Sequence, residues 1–477
     1  MRKILFFLLI AALSYPIYSQ KILTLEESLS IAMKESYTAQ AANFSLLSSR
    51  KSLESQTLAL RSQVSMSLNV SNSSTLQSYQ VPSDSTLLTN YYHMNITSVS
   101  PTLTISQPIM FTNGTLTFTG SLTGNRQVSL SSNTTDNYYS NFIVSLRQPL
   151  FQLNTQARAY EAAEINLKKA ERTYQQAEMN ITYTVSQAFY NLVKTKKSLD
   201  IAKEKARQTE EQYKTASNKF NAGFIAEDQA LQLEVDFASS KNELLNAIQN
   251  YEDSKNDFKI LIGLPLSENI EVEGDVDYKP VDVNVDEAVN SALKNRPEIM
   301  NAESDIYLSG LSVEEVEARN KIKAELNASY GVNKTADDFK RIFNAFYDSR
   351  SINLSVNIPI FDWGKNSLDV EVQKASYDQS KLALINQKES IKKEIISSVN
   401  RLNSSKARIE ILVKSVKIAE KSYGISSERF KSGSITSFEL SQSQINLTQA
   451  KLSYLEALID YKLSITDLER KTLMKIE

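Results

Sequence analysis

Gln148-Pro149-Leu150-Phe151 is echoed by Ile358-Pro359-Ile360-Phe361, 210 positions further along the chain. A second pair of segments keeps the same distance: Lys219-Phe220-Asn221-Ala222-Gly223 and Arg429-Phe430-Lys431-Ser432-Gly433. The spacing between landmarks is conserved without a gap, so the chain reads as two copies of one unit. Each copy opens alike, Leu25-Glu26-Glu27-Ser28-Leu29-Ser30-Ile31-Ala32 resembling Val285-Asp286-Glu287-Ala288-Val289-Asn290-Ser291-Ala292, but here the offset is 260. The first copy therefore carries about 50 extra residues between its opening helix and Pro149, roughly residues 75 to 125.

The stretch between the landmarks is helical. From Thr155 to Phe220 there is neither proline nor glycine, and Leu167, Ala170, Tyr174, Ala177 and Ile181 recur at three- and four-residue steps. The stripe returns with Leu199, Ala202, Ala206, Tyr213 and Phe220, a coiled-coil-like helix with a phase shift in its middle. Some 65 residues at 1.5 Å each span roughly 100 Å, longer than a globular core can cover. The second copy repeats this after Trp363 with Ile409, Val413, Val416, Ala419, Tyr423 and Phe430. The last helix carries two stripes, Leu447, Tyr454, Leu458, Tyr461, Ile465 and Leu468 beside Ile445, Leu452, Leu455 and Ile459. Two stripes imply neighbours on both sides, as in a cylinder of helices. Only 11 Gly and 9 Pro punctuate 477 residues, which fits long uninterrupted elements.

Between Ser62 and Ala157 the pattern changes to period two, and only Asp84, Arg126, Asp136 and Arg147 are charged. Val64, Met66, Leu68 and Val70 alternate with Ser65, Ser67 and Asn69; Leu103 and Ile105, Leu116 and Phe118, and Phe142, Val144 and Leu146 continue the theme. The second copy has Leu326, Ala328 and Tyr330, then Ile352, Leu354, Val356 and Ile358. One apolar and one small polar face suits a barrel wall with lipid outside and water inside, although a soluble β-sandwich alternates in the same way.

The ends and the chemistry narrow the class. Arg2 and Lys3 precede an apolar run from Ile4 to Leu13 and short polar residues around Ser19 and Gln20, the form of a secretory signal peptide. That run is too short to span a bilayer. With no cysteine there is no disulfide framework or lipidated Cys, and a net charge of -2 speaks against a nucleic-acid partner. Catalysis has little to stand on: the one histidine, His93, lies in a polar segment and reads as an ordinary loop residue. Gly263-Leu264-Pro265-Leu266 and the acidic run Glu268, Glu271, Glu273, Asp275, Asp277 and Asp282 read as a solvated linker between the copies. At Gly223 and Gly433 a long helix stops and another begins within a few residues, and Thr436 with Glu439 has capping-box spacing. Each is a tight helical hairpin, either a plain turn or a tip presented to a partner.

Taken in order, these features resemble the TolC family of outer-membrane efflux and secretion channels along essentially all of the mature length. The carriers are the duplication, the two strand ends at Gln148-Phe151 and Ile358-Gly364, the two aromatic-x-x-Gly breaks, and Leu261-Ile262-Gly263 closing the first copy. The resemblance implies a mainly α fold with a β-barrel segment. Long coiled-coil-like helices would form a trimeric α-barrel tunnel in the periplasm, and antiparallel strands would lie in the outer membrane. It divides the chain into a signal peptide (1–19), a first efflux repeat (20–262), a linker (263–284) and a second repeat (285–477). The family's minimal pattern of two strands per repeat is exceeded here. Ile105-Ser106-Gln107-Pro108-Ile109 imitates the later Gln-Pro strand end, so an extra strand pair is expected near 96–123, turning at Asn113-Gly114.

The same resemblance assigns the helix breaks to the periplasmic tip. Phe220, Ala222, Gly223 and Phe224, with Phe430, Ser432, Gly433 and Ser434, would meet the hairpin of a membrane fusion adaptor. Family members often place Asp six residues after the second tip glycine, lining the pore entrance. Here that residue is Glu439; Gln442 follows where some members have a second Asp, and Gln229 holds the first-repeat equivalent. The entrance ring is therefore expected to be less acidic. The implied function is passive export from periplasm to exterior, without cofactor, beside an inner-membrane RND, ABC or MFS transporter. Two rivals from other classes are a non-conducting structural or adhesive envelope protein with a coiled-coil stalk, and a secreted hydrolase on a helical scaffold.

Overall fold

The computed structural model describes residues 21–83, 86–128, 134–274 and 277–476; the expected leader, Asp84 and Asp275 lie outside them. The helices are α1 (Leu25–Glu35), α2 (Tyr37–Ala59), α3 (Thr155–Asn221), α4 (Glu227–Ile262), α5 (Val285–Asn295), α6 (Pro297–Arg319), α7 (Lys365–Lys431) and α8 (Ser437–Thr472). Their lengths run 11, 23, 67 and 36 residues, and then 11, 23, 67 and 36 again. The strands are β1 (Lys21–Leu23), β2 (Gln63–Ser83), β3 (Thr86–Ile109), β4 (Gly114–Val128), β5 (Thr134–Leu150), β6 (Ile270–Val272), β7 (Lys323–Ala336) and β8 (Tyr347–Asn357). The chain divides into two compact units, one holding residues 47–169 and 304–382, the other the remaining described residues.

The first unit is built on a six-stranded antiparallel sheet in the order β2-β3-β4-β5-β7-β8. Its register places Met66 opposite Leu103, Leu103 opposite Gly120, Gly120 opposite Phe142, and Phe142 opposite Val332. Directly paired residues share a face, so every alternating apolar set found in the sequence lies on one side of the sheet. Serine, threonine and asparagine fill the other. Much of that apolar side is open: Met66 is 74% and Ile352 82% exposed. The outermost strands are open as well, with every residue of β8 exposed.

Four strands come from the first copy and two from the second, and residues 96–123, where an extra pair is expected, fall on β3 and β4. Asn113 makes its turn with a left-handed backbone, φ 61°, and its carboxamide oxygen accepts hydrogen bonds from Thr155 Oγ1 (3.0 Å) and the Gln156 amide (3.3 Å) at the start of α3. The duplicated Gln-Pro ends behave identically. Gln107 Nε2 donates to the carbonyls of Pro108 (2.7 Å) and Leu60 (3.0 Å), and Gln148 Nε2 donates to those of Pro149 (2.8 Å) and Thr112 (2.7 Å). In both, one side-chain amide satisfies carbonyls that the ending strands leave free.

The second unit contains three hydrophobic clusters. Phe189, Leu192 and Val193 of α3 pack with Phe258 and Ile262 of α4 and with Leu23, Ile270 and Val272 of the parallel pair β1–β6. The segment read as a solvated linker thus contributes a strand with two buried side chains. None of its described acids is buried, and Asp282 pairs with Lys406 at 2.6 Å. Ile391, Ile395, Val399 and Leu402 of α7 pack with Ala457, Leu458, Tyr461 and Leu468 of α8 and with Ala288 and Ala292 of α5. Both stripes of α8 are used, since Leu455 and Ile459 are also buried. Tyr461 fastens the approach to α5: its hydroxyl donates to the Lys279 carbonyl (2.8 Å) and accepts from the Val281 amide (2.9 Å). The third cluster lies at the helix turns. Among the described residues no helix is long and apolar enough to cross a membrane, which leaves the sheet untouched as a candidate.

Candidate functional site at the paired helix turns

The breaks after α3 and α7 are built in the same way. Gly223 and Gly433 take φ of 80° and 78°. The Gly223 amide donates to the Phe220 carbonyl (2.8 Å) and the Phe224 amide to the Lys219 carbonyl (2.8 Å). In the second copy the Gly433 amide donates to Phe430 (3.0 Å) and the Ser434 amide to Arg429 (2.8 Å). These crossed bonds are the Schellman closure, which needs a left-handed residue where glycine alone pays no Cβ penalty. A Cβ built at either glycine meets nothing within 4 Å. Glycine is thus required here by backbone conformation, and the space around it is free.

The next helices start differently. Thr436 caps α8 in a reciprocal box: its hydroxyl accepts from the Glu439 amide (3.3 Å), while the Glu439 carboxylate accepts from the Thr436 amide (2.8 Å) and hydroxyl (3.0 Å). Those bonds hold the Glu439 carboxyl below the usual carboxylate range, so it stays charged at neutral pH. At the equivalent start of α4 stands Ala226, which has no side-chain acceptor to offer.

The two turns share a small core and a cleft. Phe430 is 3% exposed and packs with Ala216, Ala230, Leu233 and Leu440. Lys219 closes over it, its ammonium 4.8 Å from the ring centroid and donating to the Phe430 carbonyl. Gln212 Nε2 donates to the Tyr423 hydroxyl at 3.0 Å, tying α3 to α7 one level away. Between the turns opens a cleft of about 1140 Å³ whose walls include Gly223, Phe224, Gln229, Gly433, Ser434 and Glu439.

Most of the residues singled out in the sequence are therefore brought together. Ala222, Ser432 and Ser434 are exposed on the turns, and Ser432 and Ser434 hydroxyls lie 3.0 Å apart. Phe224, the residue after the first turn's glycine and the donor of its second Schellman bond, is 80% exposed. Gln442 stands apart from the cleft, one turn further into α8, where its amide donates to Asn446. One assignment needs correcting. Phe430 was expected at a partner surface, yet it is an internal wedge; Phe220, its repeat equivalent, is 39% exposed. The motif treats the two as equals, and only the neighbouring helix faces distinguish them. Lys219, Tyr423 and Gln212 were missed because such cross-helix bonds leave no spacing signal. His93 lies on β3 opposite Leu76, exposed, and belongs to the other compact unit.

Comparison with known proteins adds the following. A family model described as outer membrane efflux protein matches residues 114–264 and 288–471. The cobalt-zinc-cadmium resistance protein CzcC of Cupriavidus metallidurans is 22% identical over 312 residues, 65% of this chain and 71% of that protein. Nodulation protein T of Rhizobium leguminosarum bv. trifolii is also 22% identical, over 64% of this chain and 66% of its own length. The proteases secretion protein PrtF of Dickeya chrysanthemi is 18% identical over 72% of this chain and 77% of its own. Among solved structures, the open state of the Neisseria gonorrhoeae MtrE outer membrane channel superposes with a TM-score of 0.69 at 16% identity, covering 94% of this chain and 88% of that one. The Campylobacter jejuni CmeC outer membrane channel gives 0.68 at 16% identity, covering 94% and 85%.

Proposed function

The chain belongs to the outer membrane efflux protein family, and from that premise we propose that three copies close into one outer-membrane barrel continuous with a helical periplasmic conduit. The observation that carries this reading is the sheet: a largely exposed apolar face, a polar face behind it, and two open edges. In hydrocarbon an unpaired strand edge leaves amides and carbonyls without partners, so such a sheet persists there only when its edges are closed. Pairing β8 of one copy with β2 of the next uses every edge. Three times six strands gives eighteen, a number at which barrels keep a water-filled lumen.

The conduit is passive. The chain supplies a channel rather than a reaction, and the energy comes from an inner-membrane transporter of the RND, ABC or MFS class acting through a periplasmic membrane fusion adaptor. The turns at Gly223 and Gly433 are the adaptor's docking points, with exposed Phe224, Ala222, Ser432 and Ser434 as the contact surface and Phe430 as the support beneath. Three Glu439 carboxylates ring the entrance, with Gln229 beside them in the same cleft and Gln442 above. The experiment is Gly223→Trp and Gly433→Trp. A Cβ at either glycine has nothing within 4 Å, so the first cost of a side chain there is the left-handed backbone, about 1–2 kcal/mol. Both variants should reach the outer membrane as folded trimers and lose export of the system's cargo. Normal export by both would remove the adaptor contact from these turns.

A further inference from the structure

The connection from β7 to β8 lies at the end of the sheet opposite α6 and α7, and it does not project freely from the strands. Phe339–Phe343 form one turn of 3-10 helix, capped by the Asp338 carboxylate accepting from the Lys340 amide at 2.7 Å. Ile342, 0% exposed, faces the sheet. The Ser140 hydroxyl, buried on β5, donates to the Ile342 carbonyl at 2.7 Å. Phe339 meets Tyr138 edge-on at 5.7 Å, and Phe346 meets Phe142 edge-on at 6.0 Å. Tyr138, Ser140 and Phe142 belong to the apolar face, since they pair with Gly124, Leu122 and Gly120 of β4. The turn therefore folds back over the side of the sheet that bears Met66, Leu103 and Ile352.

Two features make this more than a folded loop. Ser140 interrupts the apolar face, and a bare hydroxyl there would lack a partner in hydrocarbon; the loop carbonyl supplies one. The loop also leaves Phe343 45% exposed, and Phe339 and Phe346 remain 49% and 39% exposed where they rest on the sheet, within the run Phe339-Lys340-Arg341-Ile342-Phe343-Asn344-Ala345-Phe346. Ala345 adopts φ 54° at the point where the chain turns Phe346 back toward Phe142, a left-handed alanine that surrounding contacts must hold. Three partly exposed phenylalanines continuous with an apolar wall, interleaved with Lys340 and Arg341, have the composition of a segment lying at a membrane interface.

We propose that Phe339–Phe346 is a lipid-embedded clasp on the outside of the barrel, seated on Tyr138, Ser140 and Phe142, with the exposed surfaces of its phenylalanines among lipid acyl chains. This rests on the reading of the apolar face as the lipid-facing side. The test uses the chain's single tryptophan, Trp363. In a Trp363→Phe background, Phe343→Trp or Phe339→Trp is placed in the full-length protein, with Met66→Trp as a separate marker of the apolar face. Each is reconstituted in phosphatidylcholine vesicles carrying dibrominated acyl chains. Emission from the loop tryptophan should be quenched by bromolipid as strongly as that of Met66→Trp, and should resist iodide in the aqueous phase. Quenching of Met66→Trp alone, with the loop tryptophan open to iodide or shielded from both quenchers, overturns the clasp and leaves the barrel reading standing. Absence of bromolipid quenching at all three sites overturns both. Phe339→Trp and Phe343→Trp are independent reporters, so failure of one to fold leaves the other to decide.

Discussion

Glu439 holds two roles in one side chain, and a pair of substitutions separates them. Its carboxylate caps α8 through Thr436 and also lines the cleft between the turns. Gln keeps an oxygen to accept from the Thr436 amide but removes the charge, whereas Ala removes both. Glu439→Gln should therefore lower the cation preference of single channels while leaving the tip helix intact; Glu439→Ala should lower it equally and also loosen the start of α8. Bilayer recordings with a salt gradient provide the check, and unchanged selectivity in both would take Glu439 out of the pore. The sign of the pH effect follows from the lowered carboxyl value: the charge and its cap persist above the ordinary carboxylate range and disappear as pH falls through the folded value. At this scale the sequence announced the glycines and the capping box, because each is a local backbone requirement. It could not announce that Phe430 is buried and Phe220 half-exposed, because that depends on Ala216, Leu233 and Leu440 arriving from other helices.

Helices of equal length but unequal starts make the tip an internally controlled experiment. The amides at the beginning of α8 have a threonine acceptor, while the corresponding amides of α4 face Ala226. An N-cap hydroxyl is worth about 1 kcal/mol, roughly five-fold in a local opening equilibrium. Ala226→Ser should therefore slow hydrogen exchange at the Asp228 and Gln229 amides about that much, and Thr436→Ala should speed it at Phe438 and Glu439. If exchange at neither end responds, the caps are not what limits fraying there. The period of the helices was plain in the sequence, as were their breaks, and both stripes of α8 proved to be used. Two buried groups were not: Val185, Phe189, Leu192 and Val193 on α3 fall where the stripe changes phase, and Ile391, Ile395, Val399 and Leu402 on α7 precede the stripe that begins at Ile409. There each helix meets a second set of neighbours, α1 or α5 and the segment before α5, and a single-stripe template averages over them. The short β6 escaped for a related reason, since its two buried side chains alternate with acids and resemble linker.

For the whole molecule, the decisive question is what closes the sheet. Strand alternation could be read because a two-residue period survives in sequence, but the pairing of β3–β4 into a continuous six-stranded sheet needed the register, and among the described residues neither outer edge, β2 or β8, has a partner strand. β2 runs away from α2 and β8 runs toward α7, so β8 of one copy is antiparallel to β2 of the next if the barrel closes. Their apolar residues then stand side by side on the outer face: Met66, Leu68 and Val70 against Ile352, Leu354 and Val356. The chain has no cysteine of its own, so introduced pairs report without background. One cysteine from each set, tested in all nine combinations in isolated outer membranes, should yield covalent dimers and trimers for the combinations in register, since paired strands bring Cβ atoms within 4.5–5.5 Å, near the disulfide range. Neighbouring combinations two residues out of register should cross-link weakly or not at all. A register-specific ladder ending at three chains would fix the barrel at eighteen strands, with β3–β4 enlarging the wall of the channel. Should no combination link, the β2 and β8 edges do not meet, and the added hairpin must lie elsewhere than in a barrel wall closed between copies.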